Sequence, residues 1–308
     1  MTREKSSVNN SVFYRFLAMV RYEMLWHIRK KKVLGLLILV FSLATMSLVL
    51  PMVLGSIYNQ PVKADPEHVI NAGAFLGELG FFLLAIVTAM NSISGEFESG
   101  TIAPLLTKPV SRTVVFLGKL FAIFLILLLT YSSLFLYLVA GGSIVYGPQN
   151  NLQLMPLILL GSLISTFVWV SIVLAIGSLS KSSLTAALGA FGAWLGLALG
   201  VGIFARFSGE IWILNYIPGG GATGFMKIGQ GTPSSGPTVQ TGTGSIGDNL
   251  VKLILNPIAE INFISARTPL YTESLSFILM RSLIVAAVYI LVFSFIAWSA
   301  LKKAQITE

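Results

Sequence analysis

The sequence predicts an all-α membrane protein with six transmembrane helices, an N-terminal interfacial amphipathic helix and both termini in the cytoplasm. Three observations predict it. Of 308 residues, 55% are hydrophobic and 10% charged, at mean hydropathy +0.84. Six runs, uncharged or carrying one charge near an end, reach the roughly 20 residues needed to cross about 30 Å of hydrocarbon. The basic residues gather on one side of those runs. A soluble domain carries about a quarter charged residues, so a soluble enzyme, a nucleic-acid-binding module and a disordered tail are excluded.

The runs span 33–54, 74–94, 120–140, 154–178, 184–205 and 277–300. Four carry no charge; the second holds Glu78 and the sixth Arg281, both near outer ends. Continuous apolar runs mean helices, which satisfy their own backbone groups. A β-barrel would instead alternate polar and apolar residues. The first run is too long, and too far from the N-terminus, for a cleavable signal sequence.

Charge sets the orientation. With the N-terminus inside, the inner segments hold fourteen basic and five acidic residues, and the outer segments five and six. Every short loop then obeys the positive-inside rule. The net charge of +8 is therefore a topology signal, and no nucleic-acid partner is expected. The chain reads as a multi-pass protein of the plasma membrane.

The segments divide accordingly. Residues 1–32 form the interfacial part. Val12, Phe13, Phe16, Leu17, Val20, Met24 and Leu25 recur at helical spacing, with Arg15, Arg21 and Arg29 set apart from them. The run Arg29, Lys30, Lys31, Lys32 then meets the membrane. This is an amphipathic helix at the inner interface, either a simple anchor or also a contact for a cytoplasmic partner. Residues 33–205 hold spans one to five. Between the second and third lies the inner loop 95–119, which mixes Glu96 and Glu98 with Gly100, Pro104, Pro109 and an apolar patch of Ile102, Leu105 and Leu106. A pure topology determinant needs only Lys or Arg. The two acids point to a contact surface; the alternative is a solvated turn ended by Gly and Pro.

The link from Leu179 to Ser183 makes the fourth and fifth spans an antiparallel pair. The fifth carries Gly189, Gly192, Gly196 and Gly200, a small-residue ladder that lets backbones approach closely. It serves a dimer seam or packing within the subunit. Residues 206–276 form the one large outer segment, rich in Gly, Thr, Ser and Pro over 218–249. Ser245 and Asp248 are candidate caps for a helix from Asn249 to about Leu255, which Pro257 ends. Ile258, Ile261, Phe263 and Ile264 suggest a re-entrant or interfacial element, or a loop cap. Residues 277–308 hold the sixth span and a short inner tail.

Catalytic chemistry is missing. The chain has no Cys and neither a GxxxxGK[ST] phosphate loop nor HExxH. His27 and His68 fall on opposite sides of the membrane, so they share no metal and complete no Ser–His–Asp set. No catalytic residue, metal site or cofactor is assigned to this chain. Glu78 and Arg281 read as snorkelling side chains or a local ion pair, with a gate role as the alternative.

The stretch Ser94-Gly95-Glu96-Phe97-Glu98-Ser99-Gly100-Thr101, then Leu105-Leu106, Pro109-Val110-Ser111-Arg112 and Gly118-Lys119, resembles the second-to-third-span loop of ABC-2 type transporter permeases. Within that family it is most similar to the branch that includes the nitrous-oxide-reductase maturation permeases. The amphipathic start, six spans, inner termini and large loop before the last span fit the same layout. The resemblance implies a dimer of permeases, as a homodimer or with a close paralogue. Two separate ATP-binding-cassette subunits would bind ATP and Mg and drive export. Glu96, Phe97, Glu98, Gly100, Thr101, Leu105, Leu106, Pro109, Ser111 and Arg112 would lie in the region seated on the ATPase. Arg15, Arg21, Arg29, Lys30 and Lys31 would mark the interfacial helix beside it. The family's external re-entrant helices match 249–264 in location. A stand-alone channel or membrane-embedded enzyme is the competing class, and the lack of catalytic residues or a filter signature argues against it.

Overall fold

A computed structural model describes residues 2–29, 31–59, 64–73, 77–101, 110–201, 203, 216–218, 246–258, 260–263 and 271–303. The described residues are overwhelmingly helical. Helix α1 (Thr2–Arg29) is followed by α2 (Lys32–Ile57), the short α3 (His68–Gly73), α4 (Gly77–Ala89) and the single turn α5 (Ser94–Glu98). Next come α6 (Arg112–Tyr146), α7 (Met155–Ser180), α8 (Ser183–Leu195) and α9 (Ile246–Leu255). Strands β1 (Glu260–Phe263) and β2 (Tyr271–Ser274) precede α10 (Leu275–Lys303).

Five helical stretches among the described residues are long and apolar enough to cross a membrane. They coincide with the first, second, third, fourth and sixth predicted runs. The fifth differs: α8 has 13 residues and passes into a π turn over Gly196–Val201. Glycine backbones there tolerate the wider turn, and π segments are commonly local insertions of this kind. The third span is longer than its apolar run. Ser111 caps it by accepting from Val114 N at 3.3 Å, and Gly147 at φ +87 ends it. At 1.5 Å per residue its 35 residues reach about 52 Å, well beyond a hydrocarbon core.

Helix α7 is the hub. It is apolar all round and buried along most of its length, as such helices are. Trp169 meets Phe82 of α4 edge-on at 5.0 Å. The Thr166 and Tyr131 hydroxyls, on α7 and α6, lie 2.5 Å apart. Helix α10 also packs along α7. Helix α2 instead buries one stripe, Leu36, Val40, Ala44 and Leu48, against α6. There Thr45 and Tyr137 share a 2.7 Å hydrogen bond, and the Tyr146 hydroxyl donates to the Leu48 carbonyl at 3.0 Å. Its other faces leave Ile38, Leu50 and Ile57 exposed, the pattern of a helix bordered by lipid.

Helix α9 packs on α7 backbone to backbone: a Cβ on Gly161 would strike Gly247, and one on Gly247 would lie 2.8 Å from Ile158 Cα. The helix starts three residues earlier than Asn249, at Ile246, and Ser245 lies outside the described residues. Of the stretch 249–264, which matches the family's re-entrant helices in location, residues 249–255 are helical and the reading is corrected at 260–263. Glu260–Phe263 is a strand paired antiparallel with Tyr271–Ser274. The alternation Glu-Ile-Asn-Phe has a period of two, which suits a strand and not a helix. Ile264 lies outside the described residues. A second clasp joins the segment after α2 to the end of α6. His68 stacks on Tyr146 at 3.6 Å and lies 3.4 Å from Asp65.

Candidate functional site

The richest polar cluster sits where α1, α5 and the start of α6 meet, at the end that the charge pattern places inside. It begins with a close approach. Gly118 of α6 has no side chain, so Met19 of α1 settles against it; an added Cβ would lie 2.7 Å from Met19 Cγ. Phe16 and Phe121 pack beside that contact at 5.7 Å. One turn on from Met19, Glu23 faces the same helix. The Lys119 ammonium donates to Glu23 Oε1 and to Glu96 Oε1, each at 2.6 Å. The Glu23 and Lys119 side chains are 3% exposed and Glu96 12%.

Two carboxylates around one ammonium leave a formal charge of −1 in a nearly dry site. Charge-assisted hydrogen bonds at this length are strong, but they must offset a desolvation cost of several kcal/mol per ion. Such a triad gives little net stability when intact and costs much when broken. Its structural effect is to tie three elements together.

Glu98 makes the next tie. Its carboxylate accepts from the Ser183 backbone N–H at 2.8 Å and from the Ser183 hydroxyl. It therefore caps the N-terminus of α8 from another element, satisfying an orphan donor and favourably meeting the helix dipole. Ser182 supplies the local cap through Thr185 N. The Lys181 ammonium lies 5.6 Å over the Phe97 ring. Beneath them Gly177 lets α7, α8 and α5 converge, with Ala186 Cβ 3.2 Å and Ser94 Oγ 3.4 Å from where its own Cβ would be.

Arg112 closes the cluster on the far side. Its guanidinium donates to the Leu301 and Lys302 carbonyls at 3.3 and 2.5 Å, a cation on the last carbonyls of α10. Trp298 of α10 donates to Thr113 at 3.2 Å and lies under Lys302.

Among the residues that sequence reasoning singled out, Glu96, Phe97, Glu98, Ser111 and Arg112 all fall in this cluster. Glu96 through Oε1, Glu98, Ser111 and Arg112 each engage a partner in the chain itself. Gly100, at φ +69, and Thr101 form an exposed turn just beyond α5. Leu105, Leu106 and Pro109 lie outside the described residues, as does Lys30. Arg15, Arg21, Arg29 and Lys31 are exposed on and after α1. The glycine ladder divides. Gly189 packs on α7, its Cβ position 3.0 Å from Ile176, whereas Gly192, Gly196 and Gly200 have nothing within 4 Å among the described residues. Arg281 makes a bidentate pair with Glu273 at 3.0 and 2.8 Å; the Glu78 side chain is outside the described residues.

Sequence reasoning named Lys119 only within the family pattern and gave no site role to Glu23, Lys181 or Ser183. Glu23 carried a usable signal: it lies on the same stripe as Met19 and Val20, an acid on the packed face of a basic helix. Lys119 carried another, next to a glycine that invites close approach.

The profile of the family described as ABC-2 family transporter protein matches residues 17–305. No individual curated protein matches the chain. The chain belongs to the ABC-2 family, and is thus a multi-pass permease subunit of an ABC transporter, the kind that works with an ABC ATPase in a bilayer.

Proposed function

We propose that this permease subunit is the translocation half of an ATP-driven exporter in the plasma membrane. It pairs with a second permease copy, and separate cassette subunits bind ATP and Mg and hydrolyse the nucleotide. The chain itself contributes no catalytic group. The exposed turn at Ser99–Thr101 and the segment that follows it meet the ATPase. Glu96 and Glu98 act behind that surface, passing its motion on.

The buried Glu23–Lys119–Glu96 triad carries this reading. A push delivered to α5 moves Lys119 and Glu23 with it, so α6 and α1 shift together. The Glu98–Ser183 cap passes the same push to α8, whose Gly192, Gly196 and Gly200 face, with nothing within 4 Å among the described residues, supports the dimer assignment. Paired ATPases closing on ATP would drive two such modules and move the spans against the α7–α10 hub.

Co-expression tests it. The tagged chain, produced with a cassette ATPase from its own gene neighbourhood, should co-purify with it and hydrolyse ATP. A chain that is well folded in detergent yet retains no ATPase overturns the proposal.

A further inference from the structure

Helix α1 buries Met19, Val20, Glu23 and His27 against the protein. Its opposite side is neither polar nor apolar but interleaved. Tyr14, Leu17, Arg21, Leu25, Ile28 and Arg29 are all exposed there, with Tyr14 69% and Ile28 57% accessible. At 100° per residue these six fall within one side of the helix. Among the described residues, neither Arg21 nor Arg29 has an acidic partner. Apolar bodies carrying Arg and Tyr heads suit the boundary between acyl chains and headgroups.

Position agrees with composition. Met19 packs on Gly118, six residues into α6, or about 9 Å from its start. After the left-handed turn at Lys31, φ 55, the chain enters α2, where exposed Leu34 and Ile38 continue the apolar surface. The stripe is thus continuous with a lipid-bordered span.

We propose that this stripe of α1 binds the headgroups of anionic phospholipids in the inner leaflet, with Arg21 and Arg29 meeting the phosphates and Leu17, Leu25 and Ile28 seated among the acyl chains. Charge complementarity selects anionic over zwitterionic lipid, because the attraction of each basic residue to an anionic surface is worth about a factor of five in affinity and is screened by salt.

The chain has no cysteine, so Ala18→Cys, exposed in the same stripe, carries a single bimane label. The full chain is placed in vesicles of equal parts phosphatidylcholine and phosphatidylglycerol, with one lipid or the other brominated. Brominated phosphatidylglycerol should quench the label more strongly. The preference should fall about fivefold in Arg21→Gln and again in Arg29→Gln, persist in Arg29→Lys, and decline as salt rises. Equal quenching by both lipids, or a preference that ignores salt and both glutamine variants, overturns the proposal. So does quenching by neither lipid, which would show protein over the stripe. Protection of the label only when the ATPase is added would assign the surface to that partner instead. These readings need no ATP or cargo, so they stand apart from the exporter assignment.

Discussion

Glu23 on α1 and Lys119 on α6 meet at 2.6 Å with both side chains 3% exposed. They are separated by 96 positions in the chain. The same ammonium reaches Glu96 of α5 at 2.6 Å. Replacing Lys119 by Met should leave two carboxylates buried and uncompensated, at a cost of about 3–5 kcal/mol. Adding Glu23→Gln and Glu96→Gln should recover most of it, since the whole ionic set is then gone. Thermal unfolding of the purified chain in detergent measures both. A single Lys119→Met variant as stable as the parent would show that the triad is not buried in this way.

Gly118 sets how closely α1 approaches α6. Gly118→Val should force Met19 away and cost about 1–3 kcal/mol through overpacking. Limited proteolysis should then cut α1 at a lower protease concentration. The same variant with Met19→Ala makes room for the new side chain and should regain protection.

Glu98→Ala removes the external cap of α8. A lost cap leaves the first turn of the helix free to fray, and the effect should be local. Amide exchange over 182–186 should speed up, while exchange in α7 stays as in the parent. An unchanged rate at Ser183 would mean that its N–H has another acceptor.

At Gly161 a side chain would strike the Gly247 backbone, and backbone cannot rotate aside. Gly161→Leu should therefore displace α9 or destabilise the protein more than Gly192→Leu, whose Cβ position has nothing within 4 Å among the described residues. Comparing the two melting temperatures checks this, and equal losses would contradict it. If the Gly192 face is the permease seam, Gly192→Leu should weaken crosslinking between copies at nearly unchanged stability.

The spans were legible because a bilayer demands apolar length, and 33–54, 154–178 and 277–300 match α2, α7 and α10 within three residues at each end. Glu96 and Glu98 were legible as unusual acids in a basic surface. Their partners were not. Lys119 and Ser183 lie 23 and 85 positions away, and no local periodicity encodes such a tie. Arg112 illustrates the same limit: its acceptors, the Leu301 and Lys302 carbonyls, are backbone groups that any sequence would present. The hairpin was not legible: apolar character at Ile258, Ile261, Phe263 and Ile264 suits a re-entrant or interfacial element and a loop cap alike, and the strand partner Tyr271–Ser274 lies beyond any local period.

The coupling account is tested most directly by a distance measured on the assembled transporter. Spin labels at Ala18→Cys on α1 and Leu291→Cys on α10, both exposed positions, report the motion of the inner module against the hub. With the cassette ATPase bound, adding ATP should change that distance in the parent chain. In the variant carrying Lys119→Met, Glu23→Gln and Glu96→Gln, ATP should still be hydrolysed while the change is lost. The same ATP-driven change in parent and variant, or none in the parent, would contradict the account.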